Sequence, residues 1–226
     1  MGLSIAMITA LLLTLKLALV TVFFLFILCI PLCYWLIAKD NFPRKLVLSI
    51  CTLPLVLPPT VLGFYLILLL RPEGFVSLIT NLIGIETLLF SFEGLVVGSI
   101  IYSLPFVLQP LYTSLKTVPH GYFDTLKILG YTKFNGYICV ILPMIRESII
   151  AAMILGFLHT IGEFGVILMI GGNIPNETGV ASIYLFDLVE SFNYTQAHAL
   201  SLILLLTSFS LLLFIYSYSS RIKKDD

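Results

Sequence analysis

The run from Ala10 to Ala38, ALLLTLKLALVTVFFLFILCIPLCYWLIA, carries a single charge, Lys16. It exceeds the roughly 20 residues needed to cross the hydrocarbon of a bilayer. No water reaches a backbone there, so every N–H and C=O must be paired inside the segment, and only a helix does this for one strand of chain. The run therefore reads as a membrane-spanning helix. Its apolar stretch begins without the basic region and small-residue cleavage site of a secretory signal, so it is expected to be retained.

Four more apolar segments follow: Leu46 to Leu70, Gly94 to Leu115, Met144 to Ile170 and Ala197 to Ser219. The fold class is an all-α polytopic transmembrane bundle of five spans, or six if the stretch Arg71 to Glu93 also crosses. Composition agrees. The 226 residues are 59% hydrophobic and 11% charged, with a mean hydropathy of +1.10, against about a quarter charged in soluble domains. The spans leave no room for a soluble domain, so residues 1–226 are expected to form one membrane domain, and the tail Arg221 to Asp226 to carry no fused sensor. A phosphate cradle of the G-x-x-x-x-G-K-[ST] type needs a Gly-Lys pair, and the chain has none. No cofactor, metal site or catalytic set is expected, and no nucleic-acid partner. Cys29, Cys33, Cys51 and Cys139 read as small apolar residues, and His120, His159 and His198 are scattered, a lone membrane histidine reading as a packing or hydrogen-bonding residue.

Charge placement sets the orientation. If the loop Lys39 to Lys45 is cytoplasmic, parity makes the segment Lys116 to Pro143 and the C-terminal tail cytoplasmic too, and ten of the twelve basic residues then lie inside. That is the bias of the positive-inside rule, so the N-terminus is expected outside and the C-terminus in the cytoplasm of a multi-pass cell inner-membrane protein. The external stretches, Arg71 to Glu93 and Gly171 to Gln196, each have room for a short helix across the outer surface.

The segment 116–143 is a polar island. Pro119 suits the first turn of a helix, Gly130 the left-handed position past its end, and Thr132 the cap of a second short helix leading to Pro143, which starts the fourth span. Tyr122, Leu126 and Leu129 recur at helical spacing, with Phe123 beside them. Asp124-Thr125-Leu126, then Gly130, then Val140-Ile141-Leu142-Pro143 resemble the E-A-A-x-x-x-G-x9-I-x-L-P signature of ABC importer permeases. The match keeps its Gly, Leu and Pro and its spacing, with Asp124 for Glu, Thr125 and Leu126 for two Ala, and Val140 for Ile. The resemblance implies that this elbow docks into a cytoplasmic ATPase, with Tyr122, Phe123, Asp124, Thr125, Leu126, Leu129, Gly130, Leu142 and Pro143 as coupling residues.

Leu13 to Val20, Leu53 to Gly63, Gly162-Glu163-Phe164-Gly165 and Gly171 to Thr178 resemble molybdate importer permeases, with sulfate and tungstate permeases as near relatives. That resemblance implies a homodimer working with two ATPase subunits and a periplasmic or extracellular oxyanion-binding protein, in contact with membrane lipid. The chain itself is then not an enzyme, and hydrolysis belongs to the separate subunit. Gate or pathway candidates are Lys16, Pro58, Pro59, Gly162, Glu163, Gly165 and Asn173. Pro58 and Pro59 should kink the second span. Gly162 and Gly165 should let another helix approach closely. Glu163 is expensive facing lipid, and Lys16 is its candidate partner. Gln109, Thr113, Ser103 and Thr60 could line a polar path. The reading from another class is an ATP-independent secondary carrier, which calls for mid-membrane coupling acids and internal repeats, neither of which is seen.

Overall fold

The structure, a computed structural model, describes residues 4–72, 74, 76 and 87–222; among the side chains inside helices, those of His120, Phe123 and residues 218–222 lie outside the description. Every regular element among the described residues is helical. They are α1 (Ile5–Ile37), α2 (Phe42–Thr52), α3 (Pro59–Leu70), α4 (Phe92–Thr117), α5 (His120–Ile128), α6 (Lys133–Met144), α7 (Arg146–Gly162), α8 (Gly165–Gly171), α9 (Ala181–Glu190) and α10 (Tyr194–Ile222).

The first run forms α1, started by Ser4, whose hydroxyl accepts from the Met7 amide at 3.2 Å. Helices α1, α4 and α7 make the most extensive contacts and form the centre of the bundle, with α10 against α7 and α9. α1, α4 and the Tyr194–Ser217 part of α10 are each long and apolar enough to cross a membrane alone. The α2–α3 and α6–α7 pairs reach that length only when each is joined across a bend, so three of the expected spans are single long helices and the count reaches five only when each bent pair is taken as one span.

The second expected span, Leu46 to Leu70, is broken rather than kinked. α2 ends in a tight turn at Leu53–Leu55, and α3 restarts at Pro59 turned by 114°. A residue before proline is pushed out of the helical region. Pro58, which precedes Pro59, accordingly has ψ 138, and the two rings withhold two amides from the turn before.

The fourth expected span is corrected at both ends. It begins at Arg146, after a 78° bend at Ile145, and not at Pro143. It ends at Gly162, where Glu163 and Phe164 leave helical geometry before α8. α8 then packs on α3 and α4. A Cβ on Gly165 would sit 3.0 Å from the Pro59 Cβ, so the glycine is what lets the starts of α3 and α8 touch. At Gly162 nothing among the described residues lies within 4 Å, and the expected close approach there is not made by them.

The expected short helix in the stretch Gly171 to Gln196 is α9, capped from a distance: its Ala181 amide donates to Thr14 Oγ1 of α1 at 2.7 Å. Of the corresponding helix in Arg71 to Glu93, and of a sixth span there, most positions fall outside the described residues.

Candidate functional site

Two places concentrate the sequence-level candidates, and they are built in opposite ways.

α5 ends as Gly130 takes φ 82, a conformation costly for residues with a Cβ. The Gly130 amide donates to Lys127 O at 3.1 Å and the Tyr131 amide to Leu126 O at 2.9 Å, the paired bonds of a Schellman stop. Thr132 then caps α6, its Oγ1 accepting from the Asn135 amide at 3.2 Å. Pro119 stands one position earlier than expected, as the N-cap residue with ψ 138. Inside α6 the Leu142 amide reaches back five residues to Tyr137 O, next to Pro143, which has no amide to give.

The elbow is fastened to α1 by aromatics. Tyr137 is buried, donates its hydroxyl to Ile30 O at 3.0 Å, and lies 4.9 Å from the Tyr34 ring, which also meets Phe134. Leu126 turns into this core together with Leu142. Tyr122 and Leu129 stay exposed, so the three positions expected to share one sticky face divide between core and surface. Ile128, 86% exposed, and Phe134, 56% exposed, extend the apolar surface beyond the residues expected from sequence. Asp124 pairs with Lys127 at 2.8 Å, and Thr125 bonds back to Gly121 O. Of Phe123, only the backbone, within α5, is described.

The second place is the break after α7. Glu163 is 3% exposed. Its Oε2 accepts from Ser99 Oγ at 2.7 Å and its Oε1 from Ser103 Oγ at 2.5 Å, while His159 Nδ1 lies 3.3 Å from Oε1. Ser103 Oγ also lies 2.9 Å from His159 Nδ1 and 3.0 Å from Thr160 Oγ1. The Glu163 carbonyl accepts from Ser182 Oγ of α9 at 2.5 Å. The imidazole stacks on Phe106 at 3.8 Å and meets Tyr102 edge-on at 4.7 Å.

The expected Lys16–Glu163 pair is therefore replaced. Lys16 lies over the Phe92 ring, 4.2 Å from its centre, while the carboxylate is satisfied by hydroxyls of α4. Ser103 belongs to this buried knot rather than to an open path. Pro58 and Pro59 are exposed at the α2–α3 break, and Asn173 donates to Asp187 of α9, which fixes the loop after α8. Sequence reading did not join Ser99, Ser103, His159 and Glu163. Their signal was available as two polar i, i+4 pairs in apolar segments, one within α4 and one at the end of α7, since residues at that spacing share a face of a helix.

Between the two places α4 carries polar side chains, while α7 is polar only at its ends, at Glu147 and Ser148 and at His159 and Thr160. Thr113 is exposed and Gln109 half-buried, and an open cleft of about 360 Å³ at the elbow end is lined by Ser114, Thr117, Tyr122, Glu147 and Ser148. The outer faces of α1 and α10 differ, exposing Phe23, Ile27, Leu205 and Phe209, and the exposed hydroxyls Thr207 and Ser210 fold back on Ile203 O and Leu206 O.

An apolar helical bundle with an aromatic-anchored elbow and an internal carboxylate is a membrane transport subunit, and the chain belongs to the family of binding-protein-dependent transport system inner membrane components, which its residues 32–224 match. Among individual proteins it is 43% identical over 211 residues to the molybdenum transport system permease protein ModB of Azotobacter vinelandii, covering 93% of each chain. It is 30% identical to the sulfate transport system permease protein CysT of Escherichia coli over 83% of this chain and 68% of that one. Among solved structures, a bacterial alginate ABC transporter superposes with a TM-score of 0.78 at 20% identity, over 98% of this chain and 81% of its own. The MetNI methionine ABC transporter does so with a TM-score of 0.71 at 14% identity, over 96% of each. At these identities the two structures establish the fold.

Proposed function

We propose that this chain is the translocation subunit of an ATP-driven importer that carries an oxyanion, molybdate first, into the cytoplasm, with tungstate and sulfate as the alternatives. The observation that carries the substrate is the 43% identity to the molybdenum permease over nearly the whole of both chains. Two copies face each other across a shared pathway, each docked through its elbow on one of two cytoplasmic ATPase subunits, and an external oxyanion-binding protein delivers the substrate. The N-terminus lies outside and the C-terminus in the cytoplasm.

The elbow suits a docking role because it exposes Ile128, Leu129, Tyr131 and Phe134 together while its backbone is closed by its own caps. A contiguous apolar patch outside the bilayer marks a contact surface. The coupling set Tyr122, Asp124, Thr125, Leu129 and Gly130 borders that patch, whereas Leu126 and Leu142 support it from below. The pathway face is the polar side of α4 with the polar ends of α7, since unpaired polar groups are costly against lipid tails, whereas along their middles α1 and α10 expose Phe23, Ile27, Leu205 and Phe209 and self-bonded hydroxyls. ATP closing the ATPase pair would draw the two elbows together and open the outer side, and hydrolysis would reverse this, a two-state element biased from both ends.

The test is uptake by liposomes containing this chain, its ATPase and the loaded binding protein, with labelled molybdate against competing tungstate and sulfate. Molybdate should compete best. Uptake that persists at the same rate without the ATPase would establish a secondary carrier in place of this reading. Ile128→Asp should abolish co-purification with the ATPase while the chain still inserts, and unchanged co-purification removes the elbow from the docking role.

A further inference from the structure

The buried knot leaves one atom over. His159 Nε2 makes no hydrogen bond among the described residues, and it is not among the buried polar atoms left without a partner, where Thr21 Oγ1 stands. It therefore opens off the chain, where Tyr102 and Phe106 flank the ring and where Gly162, three residues on, has empty space beside it. This is the pathway face of the importer reading, on which the inference rests.

The protons of the knot can be counted. Thr160 Oγ1 donates to Gly156 O at 3.0 Å, so it offers Ser103 only an acceptor. Ser103 has one proton for three neighbours, Glu163 Oε1, His159 Nδ1 and Thr160 Oγ1. Consider first an ionised Glu163 beside a neutral imidazole. Ser103 and Ser99 donate to the carboxylate, and His159 must carry its proton on Nδ1, because a bare Nδ1 would set its lone pair against the oxygens of Ser103 and Glu163. Nε2 then faces the pathway as an acceptor. Add one proton. It rests either on the imidazole, which becomes a double donor, or on Glu163, which donates to Ser103 while Ser103 donates to Nδ1. In both arrangements Nε2 carries hydrogen and faces the pathway as a donor.

We propose that Glu163, Ser103 and His159 share one exchangeable proton whose presence makes His159 Nε2 a hydrogen-bond donor to the passing oxyanion and whose loss makes it an acceptor that turns the anion away. A fully deprotonated oxyanion has only acceptor oxygens, so it discriminates between the two states without any arginine in the path. His159 is the contact residue, and Ser99, Ser103 and Glu163 are positioning residues that also shield the carboxylate from the anion. The other titratable groups around the ring are few. Tyr102 of α4 touches it, Lys16 of α1 lies over Phe92, Asp187 of α9 is held by Asn173, and His198 of α10 is exposed.

The experiment measures labelled molybdate taken up per ATP hydrolysed, in liposomes holding the complete transporter, across about pH 5 to 8, where a histidine can change charge. The wild-type ratio should fall about tenfold as pH rises, the scale of one hydrogen bond to a charged group. His159→Gln, which keeps an amide donor at every pH, should flatten the profile to within about twofold; His159→Asn serves if His159→Gln does not assemble. Glu163→Gln, which keeps acceptor and donor atoms for Ser99 and Ser103 but cannot hold the exchangeable proton, should displace the profile. A flat wild-type profile, or a His159→Gln profile that tracks the wild type, overturns the proposal. Absence of any oxyanion uptake by the wild-type complex would instead overturn the importer reading beneath it.

Discussion

The elbow and the Glu163 knot solve the same problem, unpaired polar groups at the end of a helix, from opposite directions. In the elbow the backbone closes on itself within a few residues, through Gly130, Tyr131 and Thr132, and Ile128, Leu129, Tyr131 and Phe134 are left exposed. In the knot the chain leaves its helix at Glu163 and the repair comes from afar: hydroxyls of Ser99 and Ser103 from α4, and of Ser182 from α9. A local solution leaves the surface free for a partner. A distant solution welds three helices together and spends its polar groups doing so. The elbow is thus built to be touched, the knot to hold.

The contrast can be broken most severely at Glu163. Glu163→Leu strands Ser99, Ser103 and His159 in an apolar surround and should cost about 3 kcal/mol, the order seen when one member of a buried charged network is removed. Loss of folded protein on thermal unfolding in detergent is the measurement. Next is the α3–α8 contact beside the knot. Gly165→Val forces bulk against Pro59 and should cost about 2 kcal/mol by overpacking, read in the same assay. Changes in the elbow should be smaller and local. Gly130→Ala meets nothing within 4 Å, so its cost is that of the left-handed backbone alone, about 1 kcal/mol. Thr132→Ala should remove a similar amount through the lost cap. For both, hydrogen exchange should quicken over residues 126–136 and leave α7 unchanged. The smallest expected effect is the coupling between Lys16→Ala and Glu163→Gln. Their stability effects should add within about 0.5 kcal/mol, because Lys16 rests on Phe92; a larger coupling would restore the ion pair the sequence invited.

The same contrast explains what could be read in advance. The five apolar segments, the Gly130 stop and the Thr132 cap depend on residues close in sequence, and such devices are visible in it. Helix breaks were harder. Pro58 and Pro59 announced a disturbance, yet a kink and a 114° turn use the same residues, and the difference lies in how α3 packs on α8 through Gly165. The partner of Glu163 was out of reach because it is chosen by tertiary geometry. Lys16 was the obvious countercharge, and two serines sixty or more residues away took the place. Leu126 was misread for a related reason: helical spacing gives a shared face, but not how much of that face the rest of the elbow covers.

One feature of α1 ties the ends of the molecule together. Near one end Tyr137 of the elbow hangs from the Ile30 carbonyl, and toward the other Thr14 holds the first amide of α9. Both grips fall on one continuous helix, some 24 Å apart at 1.5 Å per residue. α1 thus works as a shared lever: Tyr137 grips it next to Pro31, inside the helix, and its other grip holds the loop and helix on the far side, beside the very break that Glu163 secures.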